Sequence, residues 1–217
     1  IVDLSTNGHQ PMFDETNRYS LVFNGEIYNF LEIRNELELK GYKFISHSDT
    51  EVLLYSFVEW AEKCVLKFNG MWSFAIWDNL KKELFLSRDR FGKKPLFYAT
   101  VNGKFIFASE MKAIFPFLKV VQPSKDFNWI KKNIFSYEST SKCLIDGINR
   151  FPAAHNGIFK NGYLETTRYW NTLDHLVEPP SSYGDQVEHF RELFLDSCKL
   201  RMRSDVPMGT ALSGGLD

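Results

Sequence analysis

The stretch MWSFAIWDNLKKELFLSRDRFGKKPLFYATVNGKFIFAS, residues 71–109, decides the fold. Within it MWSFAIWD (71–78), ELFLSRD (83–89), PLFYATV (95–101) and KFIFAS (104–109) are short aromatic-rich runs parted by turn residues, the pattern of successive strands. Asn102-Gly103, between the last two, is a type I′ hairpin signal, because both turn residues need positive φ and this pair tolerates it. GIFKNGYLETTRYW (157–170) repeats the device around Asn161-Gly162. Strands this continuously apolar are covered on both faces.

Upstream the pattern becomes helical. YSLVF (19–23) has strand length, and after NGEIYN the run FLEIRNELELKG predicts a helix over about 30–40. Asn29 and Glu32 have capping-box spacing, and Gly41 stands where a C-terminal glycine belongs. A second helix is expected from Thr50 to about Lys63, with Leu53, Leu54, Phe57 and Trp60 on one face, and a third near Phe127 to Phe135. Two early helices and many antiparallel strands predict sheets stacked between helical layers.

The 217 residues are 44% apolar and include 20 Phe, enough for a large core. The formal charge is −1 with Lys and Arg spread along the chain, so no nucleic-acid partner is expected. The sequence holds no run of eighteen apolar residues and no signal-peptide pattern, which points to a soluble, cytoplasmic chain with no membrane partner. Cys64, Cys143 and Cys198 are odd in number and lack zinc or CxxC spacing, as ordinary thiols in a reducing compartment would. The five His are scattered, and no metal site is assigned.

Residues 171–184, NTLDHLVEPPSSYG, read as a linker. Beyond it Val187, Phe190, Phe194 and Cys198 make the stripe of a new helix, and SDVPMGTAL enters as an extended segment before SGGLD. A strand leading into a glycine loop, whose N–H groups open towards an anion, begins a nucleotide-binding α/β domain. The division is therefore one domain over 1–170, a linker over 171–184, and the start of another over 185–217.

Asn24-Gly25 differs from a hairpin turn, because a helix rather than a second strand follows it. Asn24 is expected at a strand end with its amide projecting into a cleft, and Gly25 allows close approach to its N–H. An Asn donor beside a glycine N–H is the chemistry of an oxyanion hole. A structural loop fits the same residues.

FNGEIYNFLEIRNEL, HSDTEVLLYSF, FNGMWSFAIWD, LSRDRFGKKPLFYA, FASEMKAI, RFPAAHNG, RYW and SDVPMGTALSGGLD occur in that order. Together they resemble the glutamine-hydrolysing asparagine synthetase family over essentially the whole chain. The resemblance implies an α+β fold: a four-layer αββα N-terminal-nucleophile hydrolase sandwich carrying a class II glutamine amidotransferase. The first helix and strand of an α/β adenine-nucleotide-binding, ATP-pyrophosphatase domain follow. It implies that glutamine is cleaved to glutamate and ammonia, and that ammonia amidates an aspartate adenylated by ATP with Mg2+; no cofactor is implied for the glutaminase domain. Asn24 and Gly25 match the family's oxyanion hole, Glu26 its glutamine-binding segment, and Asp49 the carboxylate that holds the substrate's α-amino group. Asp49 also suits a helix cap. Leu212, Ser213, Gly214, Gly215 and Asp217 match the start of the ATP pyrophosphate loop, where a plain glycine turn is the bland alternative. RDRFGKKP (88–95) is read as a structural loop.

The family's nucleophile is an N-terminal cysteine, and an arginine preceding its IVD segment binds the glutamine carboxylate; neither is among these residues. The chain is accordingly expected to be an internal fragment, inactive and poorly stable alone, with an exposed sheet edge. Two alternatives stay open: a related amidotransferase acting on another carboxylate, such as a uronic acid, and a glutamine-binding module without catalysis. The sequence leaves a homodimer open.

Overall fold

The computed structural model describes residues 2–137 and 140–210. Its strands are β1 (Met12–Phe13), β2 (Tyr19–Ile27), β3 (Gly70–Asp78), β4 (Glu83–Arg88), β5 (Phe97–Val101), β6 (Lys104–Ala108), β7 (Asn149–Arg150), β8 (His155–Lys160) and β9 (Tyr163–Arg168). They form a six-stranded sheet, β1-β2-β3-β4-β8-β9, and a three-stranded sheet, β6-β5-β7, antiparallel throughout. The helices are α1 (Phe30–Leu39), α2 (Asp49–Trp60), α3 (Phe127–Lys132) and α4 (Tyr183–Arg201).

Alternation along the strands builds the layers. Leu21 and Ile27 of β2, with Trp72, Phe74 and Ile76 of β3, face Ile33 and Leu37 of α1 and Val52 and Leu53 of α2. The opposite face presents Ala75 and Leu86 to Leu96, just before β5, and to Tyr98 and Phe107 of the smaller sheet, sealed by Phe151. The outer face of that sheet buries Phe97 and Ala99 against Ile114, Cys143 and Ile148 in a fourth layer of short turns. The result is the expected αββα sandwich. Each fully buried Leu, Ile or Phe in these layers contributes roughly 1.5–3 kcal/mol.

Local signals act where their chemistry is unambiguous. Both Asn-Gly hairpins have positive φ at both residues, 51° and 75° at Asn102-Gly103 and 52° and 86° at Asn161-Gly162. α1 ends in a Schellman motif: Gly41 has φ 98°, its N–H donates to Glu38 O, and Tyr42 N–H donates to Leu37 O.

Several expectations are corrected. β2 does not stop at Phe23 but runs to Ile27, because β3 supplies a ladder partner along its whole length. Asn29 makes no capping bond. Its side chain instead donates to Lys67 O and accepts from Asn69 N, while Glu32 pairs with Arg203. α2 ends at Trp60, where Ala61 takes φ 49° and a 3-10 turn continues to Leu66. α3 stops at Lys132. No strand forms over residues 204–210, which pair with no other strand among the described residues. The short strands β1 and β7 carry no sequence signal.

RDRFGKKP is a structural device. The buried Asp89 carboxylate accepts from the N–H groups of Trp72, Phe91, Lys93 and Lys94, at 2.9–3.2 Å. Arg88 donates to the carbonyls of Lys94, Phe151 and Gly92, each at 2.7 Å. Polar side chains thus close a loop that no ladder reaches.

α4 begins at Tyr183, capped by Ser182, and its Val187, Phe190 and Phe194 are exposed. The segment after it returns to α1: Arg203 donates to Tyr28 O at 2.7 Å and to both Glu32 carboxylate oxygens. Among the described residues no helix is long and apolar enough to cross a membrane.

Candidate functional site

β1 covers β2 only at Ser20 and Leu21, so the outer edge of β2 from Val22 onward has no strand partner among the described residues. In an extended strand, N–H groups of alternate residues point to the same edge. Two of those on this edge meet side chains: Phe23 N–H donates to Gln10 Oε1 at 2.6 Å, and Ile27 N–H to Asp49 Oδ2 at 2.9 Å. The same alternation turns the Gly25 N–H to this open edge, between those two, where it meets no acceptor among the described residues. An aligned, unengaged N–H beside solvent is a ready donor for an oxyanion.

Gly25 is required by the packing of β2 on β3. A Cβ there would lie 2.3 Å from Met71 O and 2.8 Å from Trp72 Cα. Gly70 on β3 has the matching constraint, 2.2 Å from Glu26 O. The backbone of β3 approaches closely here.

Asn24 and Glu26 lie on the face of β2 turned towards the smaller sheet. Asn24 is exposed in the middle of β2 rather than at its end, and its Nδ2 donates to Ser109 Oγ at 3.0 Å. Ser109 follows β6, so this bond crosses from one sheet to the other. A cavity of about 240 Å³ opens beside it, lined by Gln10, Asn24, Ser73, Leu96, Phe107 and Ser109. Glu26 is half-buried two residues along.

Asp49 is the first residue of α2 but not its cap. Ser48 takes that role, its Oγ accepting Thr50 N–H at 3.0 Å. Asp49 is left to reach β2. It is 5% exposed, and burial pushes its carboxyl up to about 6; the Ile27 N–H opposes the shift and the Glu26 charge adds to it. The loop before α2 is fixed by buried Glu51, which accepts from Ile45 N, Ser46 N and Ser46 Oγ. The structure therefore brings Asn24, Gly25, Glu26 and Asp49 to one stretch of β2. Gln10 and Ser109, which join them, went unread: neither belongs to a local pattern, and each reaches the site only through the tertiary fold.

Leu212, Ser213, Gly214, Gly215 and Asp217 lie outside the described residues. Cys64 and Cys143 are buried, and burial pushes both thiols up, Cys143 to about 11, the reverse of an activated nucleophile. Cys198 is exposed on α4. Among the described residues no cluster of three or more His, Cys, Asp or Glu is arranged to hold a metal ion.

Comparison with known proteins identifies the family and the fold. Residues 189–217 match the asparagine synthase family model. Asparagine synthetase [glutamine-hydrolyzing] 3 of Bacillus subtilis is 38% identical over all of this chain and 35% of its own length. A putative asparagine synthetase [glutamine-hydrolyzing] 2 of Methanocaldococcus jannaschii is 37% identical over all of this chain and 45% of its own. The chain thus spans less than half the length of these curated relatives. Among solved structures, glutamine phosphoribosylpyrophosphate amidotransferase of B. subtilis superposes with a TM-score of 0.56 at 17% identity, covering 77% of this chain and 33% of that one, a likeness of fold. Over residues 1–170 the sequence matches the glutamine amidotransferase domain model, and the chain belongs to that family.

Proposed function

We propose that residues 1–170 form the glutaminase domain of an ATP-dependent, glutamine-hydrolysing asparagine synthase, joined by a linker at 171–184 to the start of its synthetase domain at 185–217. One observation carries the reading: the Gly25 N–H, which meets no acceptor among the described residues, is turned to the open edge of β2 that Asp49 reaches at Ile27, and the Asn24 amide stands next to it on the face towards the smaller sheet. Glutamine lies along this edge with its α-ammonium towards Asp49 and Glu26. Its amide carbonyl points at Asn24 Nδ2 and Gly25 N–H. A thiolate attacks the amide carbon, a C–S bond forms, and the electron pair displaced onto oxygen is held by those two donors. The proton given up by the thiol passes to the amide nitrogen, the tetrahedral species collapses with release of ammonia, and water then adds to the thioester, giving glutamate and restoring the thiol. The attacking thiol is not Cys64 or Cys143, which burial keeps protonated; the resemblance assigns it to a cysteine outside these residues.

Ammonia then meets an aspartate activated by ATP with Mg2+ in the synthetase domain. There Ser213, Gly214 and Gly215 would supply hydroxyl and N–H donors to the phosphates, with Leu212 beside the nucleotide and Asp217 in the same loop. The exposed stripe of Val187, Phe190 and Phe194 is then the face on which the rest of that domain packs. The test is Asn24→Ala in the full-length protein, assayed for glutamate release from glutamine and for asparagine formation from aspartate and ATP. Glutaminase turnover is expected to fall ~100-fold or more. Unchanged turnover would remove Asn24 from the oxyanion hole, and absence of aspartate amidation by the parent protein would move the acceptor elsewhere.

A further inference from the structure

We infer that Ser109 is a positioning residue for glutamine hydrolysis: it fixes the Asn24 side-chain amide so that one of its N–H groups is presented to the oxyanion. The inference rests on the oxyanion-hole reading of Asn24 and names what makes that hole work.

The geometry is specific. Asn24 stands on β2 of the six-stranded sheet, and Ser109 stands immediately after β6 of the three-stranded sheet. Asn24 Nδ2 donates to Ser109 Oγ at 3.0 Å across the gap between the sheets, a contact between residues 85 apart in the chain. A primary amide carries two N–H donors on one planar nitrogen. With one committed to Ser109, the plane of the amide is set and the second N–H points in a fixed direction away from Ser109. Gly25 N–H is fixed independently by the strand, so the two donors of the hole have constant relative geometry only while the Ser109 bond holds.

Asn24 needs such a tether because it is exposed and its terminal torsion is broad and roughly two-fold. Freed from Ser109, the amide samples rotations in which neither N–H faces the substrate. A half-turn presents Oδ1 instead, whose partial negative charge opposes the oxyanion. Preorganised donors stabilise a transition state because they need no reorganisation as charge develops, and this bond supplies that preorganisation. Ser109 acts through Asn24, so its removal affects turnover rather than binding of ground-state glutamine.

The experiment uses the full-length enzyme and reads steady-state glutaminase kinetics of Ser109→Ala, Ser109→Thr, Asn24→Ala and the Asn24→Ala/Ser109→Ala double variant, each with its thermal melt. Ser109→Ala is expected to lower kcat ~3- to 10-fold, as the loss of one net hydrogen bond allows, with glutamine KM unchanged. Ser109→Thr keeps the hydroxyl and should recover most of the turnover. The double variant should be no slower than Asn24→Ala alone, because a residue acting through Asn24 has nothing left to position. A Ser109→Ala enzyme with parental kcat overturns the proposal. So does a loss that multiplies onto that of Asn24→Ala, or one confined to KM or to melting temperature, which a plain tether between sheets would give. If Asn24→Ala itself keeps full turnover, the oxyanion reading falls with it; if Asn24→Ala is crippled while Ser109→Ala is not, Ser109 alone is refuted.

Discussion

Replacing Asp49 by asparagine should stabilise the protein while impairing it. The folded-state carboxyl sits at about 6 against an ordinary 3.8, chiefly because burial disfavours its charge. A carboxyl raised on folding is the reverse of the usual salt-bridged case. Between these two values the folded state binds more protons than the unfolded one, so the contribution of Asp49 to stability falls as pH rises through that window. The raised carboxyl costs about 3 kcal/mol at pH 8, roughly half of that at pH 5 and under about 1 kcal/mol at pH 4, where the folded side chain is mostly protonated. In the Asp49→Asn variant the side chain carries no charge and can still accept the Ile27 N–H through its amide oxygen. It loses the second carboxylate oxygen, worth ~1 kcal/mol, leaving a net gain of about 2 kcal/mol at pH 8. Equilibrium urea unfolding of both proteins at pH 8 and pH 4, followed by intrinsic fluorescence, reads the difference directly. The Asp49→Asn advantage should shrink or reverse at the lower pH. An advantage that is absent at pH 8, or that grows on acidification, would refute the reasoning. The same charge is what a substrate ammonium needs, so glutamine KM should rise in the variant, and parental kcat/KM should fall as pH drops below about 6.

Asp89→Ala tests the loop that closes the far end of β4. Four N–H groups lose their common acceptor, and a cost of ~3 kcal/mol or more is expected in a urea-midpoint comparison; a change below ~1 kcal/mol would mean that water replaces the carboxylate. Gly25→Ala tests the close approach of β2 and β3. The new methyl meets Met71 O at 2.3 Å, so the strands must part, at roughly 1–3 kcal/mol by thermal melting. A variant that melts with the parent would show the strand edge to be more yielding than its register implies.

What the sequence discloses and what it withholds divide along a physical line. Asn102-Gly103 and Asn161-Gly162 were legible because a I′ turn is decided by two adjacent residues, and Gly41 because a Schellman motif is decided within one helical turn. Asn29 misled for the complementary reason: a capping box competes with other partners, and Lys67 O and Asn69 N–H, 38 and 40 residues away, won its side chain. Asn24-Gly25 misled in the same way about β2, since its pairing with β3 depends on Gly70 far along the chain. The candidate site was named through the family resemblance, since Asn24-Gly25 alone fits a structural loop as well and Asp49 alone fits a helix cap. Its geometry was not readable. The direction of Gly25 N–H follows from the register of β2, the freedom of Asp49 from Ser48 having taken the cap, and the orientation of Asn24 from a serine on the other sheet. Each of these is a choice between partners that only the packed sheets bring within reach. A reading that stops at motifs therefore proposes donors and misses the residues packed against them, and the Ser109→Ala kinetics measure whether that difference matters for Asn24.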